Sequence, residues 1–297
     1  MPNYCDFCPR KCSVDRSTQK GFCGANDKIL VNKIMLHYWE EPIISGTDTT
    51  PKRGSGAIFF GHCNLGCVYC QNYEISHGDY GTYYTPEQLA TVFCDLERQG
   101  ATNINLVTPT HYARYILEAL KIYKPSIPVV WNTGGYESAQ IIHSLGGYVD
   151  IFLTDYKYYD DKLAIKYSHA PNYRQNAIDA LRAMREIVPQ DIIKDGLMQK
   201  GIIVRHLVLP SHTGDSQKVL DSIKDTLGQN TIVSLMSQYV PVGRAKDYPE
   251  INRRLRPIEY KIVKKHMYEL GLEGFVQEMG SATTEYIPDF DTKQKIS

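Results

Sequence analysis

The sequence has no excess of either charge: 33 Lys and Arg face 33 Asp and Glu, for a formal charge of zero before any of the nine His residues protonates. That removes the unspecific electrostatic capture by which proteins hold nucleic acid or anionic membranes, so neither is expected as a partner. Runs of about 18 consecutive apolar residues are missing too, and no membrane-spanning helix is expected. The opening Met-Pro-Asn-Tyr-Cys carries no basic stretch leading into an apolar one, which predicts no signal peptide and a cytoplasmic location. Internal repeats and low-complexity tracts are absent. What remains is a globular composition, 42% hydrophobic and 22% charged over 297 residues, long enough to bury roughly three quarters of the unfolded surface.

Cysteine is the informative residue. Of eight, seven fall into two tight groups, Cys5/Cys8/Cys12/Cys23 and Cys63/Cys67/Cys70. In a reducing compartment such groups bind metal more often than they form disulfides. Cys94 stands alone in a helical pattern, off the stripe formed by Leu89, Val92, Phe93 and Leu96, and reads as a bystander.

From about residue 55 onward, apolar β-rich runs alternate with helical periodicity, the pattern of a parallel sheet built from βα units. Strands are expected at Ala57–Phe60, Asn103–Val107, Ile127–Trp131, Val149–Thr154, Ile202–Leu209 and Thr231–Met236. The clearest helix start is Thr85-Pro86-Glu87-Gln88, an N-cap, a first-turn proline and a capping-box glutamine, closed by Gly100. Another helix is expected over Pro257–Gly271 with Ile258, Ile262, Met267 and Leu270 inside. Further helices near Gln175–Val188 and Ser216–Leu227 should bury Ala177, Ala180, Leu181 and Met184, and Val219, Leu220 and Ile223. The class is α/β, and periodicity leaves open a partial barrel or a doubly wound sheet; either puts function at the C-terminal strand ends. The expected organisation is a cysteine-rich, metal-stapled appendage over residues 1–50, a βα domain over 51–285 and a loose tail over 286–297.

Cys63-Asn64-Leu65-Gly66-Cys67-Val68-Tyr69-Cys70 follows the first of these strands directly, placing three thiolates with Cys-x3-Cys-x2-Cys spacing in one loop at the sheet's C-terminal edge. Thiolates hold iron–sulfur clusters, and a [4Fe–4S] cube with three protein ligands keeps one iron open for a small molecule. The alternatives are a zinc site completed by His62 or a redox pair Cys67-x2-Cys70.

At these residues the sequence resembles the radical S-adenosylmethionine (SAM) superfamily, with its Cys-x3-Cys-x-aromatic-Cys loop after the first strand of a partial (β/α)6, TIM-type barrel. The resemblance covers roughly residues 55 to 280. It implies that Cys63, Cys67 and Cys70 bind a [4Fe–4S] cluster and that the cofactor's methionine group chelates the open iron. One electron from the reduced cluster then cleaves the sulfonium to methionine and a 5′-deoxyadenosyl radical that abstracts hydrogen, the hard chemistry being the cofactor's. Tyr69 would lie near the adenine, chiefly through its backbone.

The family's Gly-Gly-Glu after the second strand is missing; Val107-Thr108-Pro109-Thr110-His111 stands there, with Thr108 and Thr110 as candidates to meet the cofactor's ammonium and a helix cap as the alternative for Thr110 or His111. Later segments resemble the activating enzymes of glycyl radical enzymes, typified by pyruvate formate-lyase activase. Trp131-Asn132-Thr133-Gly134-Gly135-Tyr136 resembles their Asp-Thr-Asn-Gly-Phe, with Asn132 where an Asp is usual, and Leu153-Thr154-Asp155-Tyr156-Lys157 resembles their Leu-Asp-Leu-Lys. By that resemblance Asn132, Thr133 and Asp155 are candidates for a monovalent-cation site beside the cofactor carboxylate. Asp155, Lys157 and Arg205 would contact the cofactor's polar end, and Gln238 stands where activases place a histidine. Capping or a buried ion pair is the alternative for Asp155 and Arg205.

Cys5-x2-Cys8-x3-Cys12-x10-Cys23 offers four soft ligands within 19 residues, enough for a second [4Fe–4S] cluster or tetrahedral zinc. Arg10, Lys11, Arg16 and Lys20 among them would offset the thiolate charge. The same array opens a subgroup of activase-like proteins that this chain resembles along its length, including the closing Pro288-Asp289-Phe290. The resemblance thus implies an oxidoreductase using SAM, an electron donor such as flavodoxin or ferredoxin, and hydrogen abstraction from a protein or peptide. Another peptide modification, a small-metabolite substrate, and a non-catalytic iron–sulfur carrier are the alternatives.

Overall fold

The computed structural model describes residues 4–277 and Phe290. In chain order its elements are β1 (Ile29–His37), α1 (Pro42–Ser45), β2 (Ser55–Phe60), α2 (Tyr73–His77), β3 (Thr82–Tyr84), α3 (Pro86–Arg98), β4 (Ile104–Val107), α4 (Ala113–Ile122), β5 (Val129–Thr133), α5 (Ala139–Ser144), β6 (Ile151–Asp155), α6 (Asp161–Ser168), α7 (Tyr173–Ile187), β7 (Ile192–Lys194), β8 (Leu197–Leu207), α8 (Thr213–Leu227), β9 (Ile232–Met236), α9 (Pro257–Glu269) and β10 (Glu273–Val276).

All six expected strands form, as β2, β4, β5, β6, β8 and β9, and each pairs in parallel with the next. β2, β4 and β5 are buried at every position, because helices cover one face and the barrel interior the other. β10 extends the parallel run beyond the expected six; its Glu273-Gly274-Phe275-Val276 is too short and exposed to show an apolar pattern. The sheet path runs from β10 to β3 without closing, the architecture of a partial TIM-type barrel within the α/β class.

Two expectations need correcting. The break at residue 50 falls inside the sheet, because β1 pairs antiparallel with β2 from Val31↔Phe60 to His37↔Ser55. That pairing carries the chain to the barrel's N-terminal end, where α1 closes the floor. Ile44 is buried there against Val130, Ile151, Leu153 and Ile203, and its carbonyl accepts from Thr102 Oγ1 at 2.9 Å and Asn103 Nδ2 at 2.8 Å. In α9, Ile258 and Ile262 are exposed; the buried stripe is Tyr260, Val263 and Met267, rotated away from the isoleucines by the way the helix docks.

The other helices match their patterns. Thr85 caps α3 with Gln88 in a reciprocal capping box, contributing about 1 kcal/mol. Ala177, Ala180, Leu181 and Met184 of α7 and Val219, Leu220 and Ile223 of α8 are buried. Within 286–297 only Phe290 is described, and its ring packs edge-on against Phe59 at 5.5 Å; the rest of the expected loose tail lies outside the described residues.

Candidate active site

The three-cysteine loop is held from three sides. At its start Gly61 lies so close to β1 that an added Cβ would sit 2.6 Å from Leu30 Cδ2, and the Gly61 carbonyl accepts from His111 Nε2 at 2.8 Å. His111 is fully buried and burial holds its pKa well below the usual value, so it stays a neutral donor. Farther along, Gly66 N–H and Val68 N–H donate to the Ser168 and Tyr167 carbonyls at 3.0 and 2.8 Å, fixing the loop to the end of α6. Arg244 N–H donates to the Val68 carbonyl at 2.7 Å.

The sulfurs gain polar neighbours from the same elements. Leu65 N–H lies 3.3 Å from Cys63 Sγ, Ser168 Oγ 2.9 Å from Cys67 Sγ and Ser76 Oγ 3.5 Å from Cys70 Sγ. Burial pushes all three thiols up, Cys70 to about 11, so bare thiols stay protonated and thiolates form only against a bound positive centre. Among the described residues no three His, Cys, Asp or Glu side chains close on one point as a single ion requires. The three cysteines instead border a cavity of about 580 Å³. Three soft donors beside open space fit a cluster with one exchangeable position. His62 is a poor fourth ligand for zinc, because Nε2 pairs with Asp79 Oδ1 at 2.9 Å and Nδ1 with Tyr112 Oη at 3.1 Å.

Across the cavity stands a charged network from the C-terminal ends of β5, β6 and β8. Lys157 Nζ lies 2.5 Å from Asp155 Oδ2, Arg205 Nε 2.8 Å from Asp155 Oδ1, and Arg205 Nη2 2.7 Å from Asn132 Oδ1. Burial alone would raise the Asp155 carboxyl, but the Arg205 and Lys157 charges outweigh it and hold the group below its usual range. Because these donors occupy both Asp155 oxygens and the Asn132 oxygen, the positive charge a monovalent cation would bring is supplied here by the chain itself.

Glu40, which sequence reasoning missed, completes the network from the floor. Its carboxylate accepts from Asn105 Nδ2 at 3.0 Å and Asn132 Nδ2 at 3.2 Å and lies 3.4 Å from Arg205 Nη1. Nothing in Tyr38-Trp39-Glu40-Glu41 signals this, because the segment reaches the barrel only through the antiparallel turn of β1. Burial raises the Glu41 carboxyl above its usual range, against the opposing pull of Arg205.

The remaining site residues divide. Tyr69, Thr108, Thr133 and Gln238 line the cavity with the cysteines. Tyr69 Oη lies 2.5 Å from Tyr158 Oη, and Gln238 Oε1 accepts from Gln277 Nε2 at 3.2 Å. Thr108 is left-handed, φ 59°, a conformation that costs a β-branched residue about 1–3 kcal/mol and recurs where chains bind ligands. Thr110 is not on the cavity: it is buried and its hydroxyl donates to Glu137, as does that of Thr133. Glu137 also accepts from Trp131 Nε1 at 3.3 Å, and burial raises its carboxyl to about 7. It is a second residue that sequence reasoning passed over; an acid six residues past a buried Trp has no periodic signature.

The N-terminal cysteines share one folded segment, although, as at the loop, no three of these described residues meet at a single point. Cys5, Cys8 and Cys23 are buried, Cys12 is half-buried, and none is in a disulfide. Cys5 N–H donates to the Val14 carbonyl and Ser13 N–H to the Cys5 carbonyl, both at 2.9 Å, folding the segment back on itself. Burial pushes Cys8 up to about 12, and the neighbouring Cys23 and Cys5 add to the shift.

An open parallel barrel with a three-cysteine loop at its C-terminal rim and a polar cavity behind it defines a class of cofactor-dependent enzymes. The sequence model of the Radical SAM superfamily matches residues 57–217, more than half the chain, and the chain belongs to that superfamily. It is 33% identical over 280 residues to the uncharacterized protein MJ0674 of Methanocaldococcus jannaschii, covering 90% of this chain and 76% of that one. Among solved structures, Streptococcus suis SuiB bound to S-adenosylmethionine is 12% identical with a TM-score of 0.49, covering 73% of this chain and 48% of SuiB. Methylornithine synthase PylB is 13% identical with a TM-score of 0.46, covering 71% of this chain and 63% of that one. The chain thus spans about half the length of SuiB.

Proposed function

We propose that this protein is a SAM-cleaving enzyme of the activase type, with Cys63, Cys67 and Cys70 holding a [4Fe–4S] cluster and a protein or peptide as the hydrogen donor. The observation that carries the reading is the meeting, in one cavity, of the three cysteines with Asp155, Lys157 and Arg205. When bound, the cluster and SAM supply one-electron cleavage to a carbon radical. The chain's part is to bind, orient and exclude water. Lys157 and Arg205 offer fixed donors to the cofactor's carboxylate, and Glu40 supplies the carboxylate that the missing Gly-Gly-Glu would have brought to the ammonium. Phe59, Val107, Leu207 and Met236 form apolar cavity wall, which keeps water from a reactive carbon radical.

A polymeric substrate fits the aromatic lining at the floor end of the cavity. Tyr38 and Trp39 border the cavity while 40% and 60% exposed, aromatic surface suited to an extended peptide. The test is anaerobic reconstitution followed by dithionite and SAM, with 5′-deoxyadenosine measured beside a Cys63/Cys67/Cys70→Ala variant. Formation in the wild type and loss in the variant is expected, and a carbon radical on an added partner protein would identify the activase role. No 5′-deoxyadenosine from a protein with a reducible cluster of about four irons at this loop would overturn the reading in favour of an electron carrier.

A further inference from the structure

We infer that the N-terminal cysteines hold a redox-active [4Fe–4S] cluster rather than zinc, and that this cluster is the port through which electrons reach the cavity. The first part rests on two guanidinium groups. Arg16 is 1% exposed; its Nη1 donates to the His111 carbonyl and its Nη2 to Cys23 Sγ at 3.3 Å, while its Nε, equally buried, has no acceptor among the described residues. Arg10 donates through Nε to the Asn64 carbonyl at 3.0 Å, stacks on the Phe22 ring at 3.5 Å, and leaves a buried Nη2 without an acceptor. Buried N–H groups without partners cost about 1–3 kcal/mol each, so they mark the place of an acceptor. Both lie beside the cysteines: Arg16 donates to Cys23 Sγ, and Arg10 stands in the chain between Cys8 and Cys12. Zinc with four thiolates brings charge but no acceptor atom beyond the cysteines. A cluster of the same net charge brings inorganic sulfides, which accept N–H bonds.

The second part rests on where the array sits. Arg10, two residues from both Cys8 and Cys12, is bonded to the carbonyl of Asn64, next to Cys63, so one guanidinium joins both cysteine groups. Asn64 in turn donates through Nδ2 to the Tyr136 carbonyl at 2.7 Å, which fixes it. Cys23 and Cys63 also face one cavity of about 400 Å³. A single electron from a low-potential donor of the flavodoxin or ferredoxin class takes the N-terminal cluster from its 2+ to its 1+ state. Its return to 2+ passes that electron to the loop, with no bond made or broken and no proton moved.

This inference takes from the proposed function only the destination of the electron, and the test separates the two. The full chain is reconstituted anaerobically with iron and sulfide, and iron, sulfide and zinc are counted. In the Cys63/Cys67/Cys70→Ala variant about four irons and four sulfides should remain, with a reduced EPR signal that SAM leaves unchanged. Zinc in their place, or no metal, overturns the inference. Should that variant not fold, the wild type decides: about eight irons and no zinc supports it, about four irons with one zinc overturns it. Loss of a SAM-sensitive signal from wild type that keeps the N-terminal iron would sink the proposed function alone. Arg10→Gln removes a charge and a donor beside both groups and should shift both midpoint potentials negative. Unchanged potentials in that variant overturn the shared-guanidinium link.

Discussion

Glu40 and Asn132, 92 positions apart in sequence, meet inside the barrel with Glu40 Oε1 3.2 Å from Asn132 Nδ2. The Asn132 amide thus gives its N–H to Glu40 and its oxygen to Arg205, a double role that an aspartate cannot play. The pair gives a physical reason for an amide rather than a carboxylate at this position. Asn132→Asp would put two carboxylates in contact and should cost about 2 kcal/mol despite equal size. Urea unfolding of Asn132→Asp, Glu40→Gln and the double variant checks this, with the double variant recovering part of the loss. An unchanged midpoint in Asn132→Asp would refute the pairing.

Arg205 is the hub between Asp155, Asn132 and Glu40, and its planar fork serves them at once. Arg205→Lys keeps the charge but not the fork, so the chain should stay folded while SAM affinity falls about tenfold, some 1.4 kcal/mol. Equilibrium binding to the reconstituted protein reads this directly. Wild-type affinity in the variant would take Arg205 out of the cofactor site.

Glu137 predicts a pH dependence of stability. Its folded carboxyl titrates near 7 against an unfolded value of 4.5, because burial outweighs the hydrogen bonds from Thr110, Thr133 and Trp131. Between those values the folded chain keeps a proton that the unfolded chain has released, so this group's contribution falls as pH rises, by at most about 3 kcal/mol, and levels off above 7. Glu137→Gln should flatten that part of the profile in chemical denaturation from pH 4.5 to 8. Parallel profiles would mean that the carboxyl is ionised in the fold.

Gly135 lies at φ 79° with its missing Cβ only 1.9 Å from the Asp155 carbonyl oxygen. Gly135→Ala must therefore push β5's following turn off the end of β6, where Asp155 and Lys157 are set. A loss of about 3 kcal/mol is expected, with weakened SAM binding. A change under about 0.5 kcal/mol would show that the turn yields easily.

The parallel strands were legible because each is a continuous apolar run, and the cysteine loop because its spacing survives any fold. Asp155, Lys157 and Arg205 were legible as strand-end residues, and they do converge on the cavity. Thr110 read as a cofactor contact, yet its hydroxyl is taken by Glu137, an acid whose burial no local pattern announces. Ile258 and Ile262 show the same limit: periodicity identifies a helix, and docking chooses the face.

The sequence by itself determined the βα order, the capped start of α3 and the positions of seven cysteines, because these follow from local propensity and from donor spacing along one stretch of chain. Only the tertiary structure decided that residues 29–45 belong to the barrel, that Glu40 rises through its floor, and that Arg10 stands between the two cysteine groups. Those are relations between segments far apart in the chain. They depend on which way an antiparallel strand carries its successor, and no short-range pattern encodes that direction.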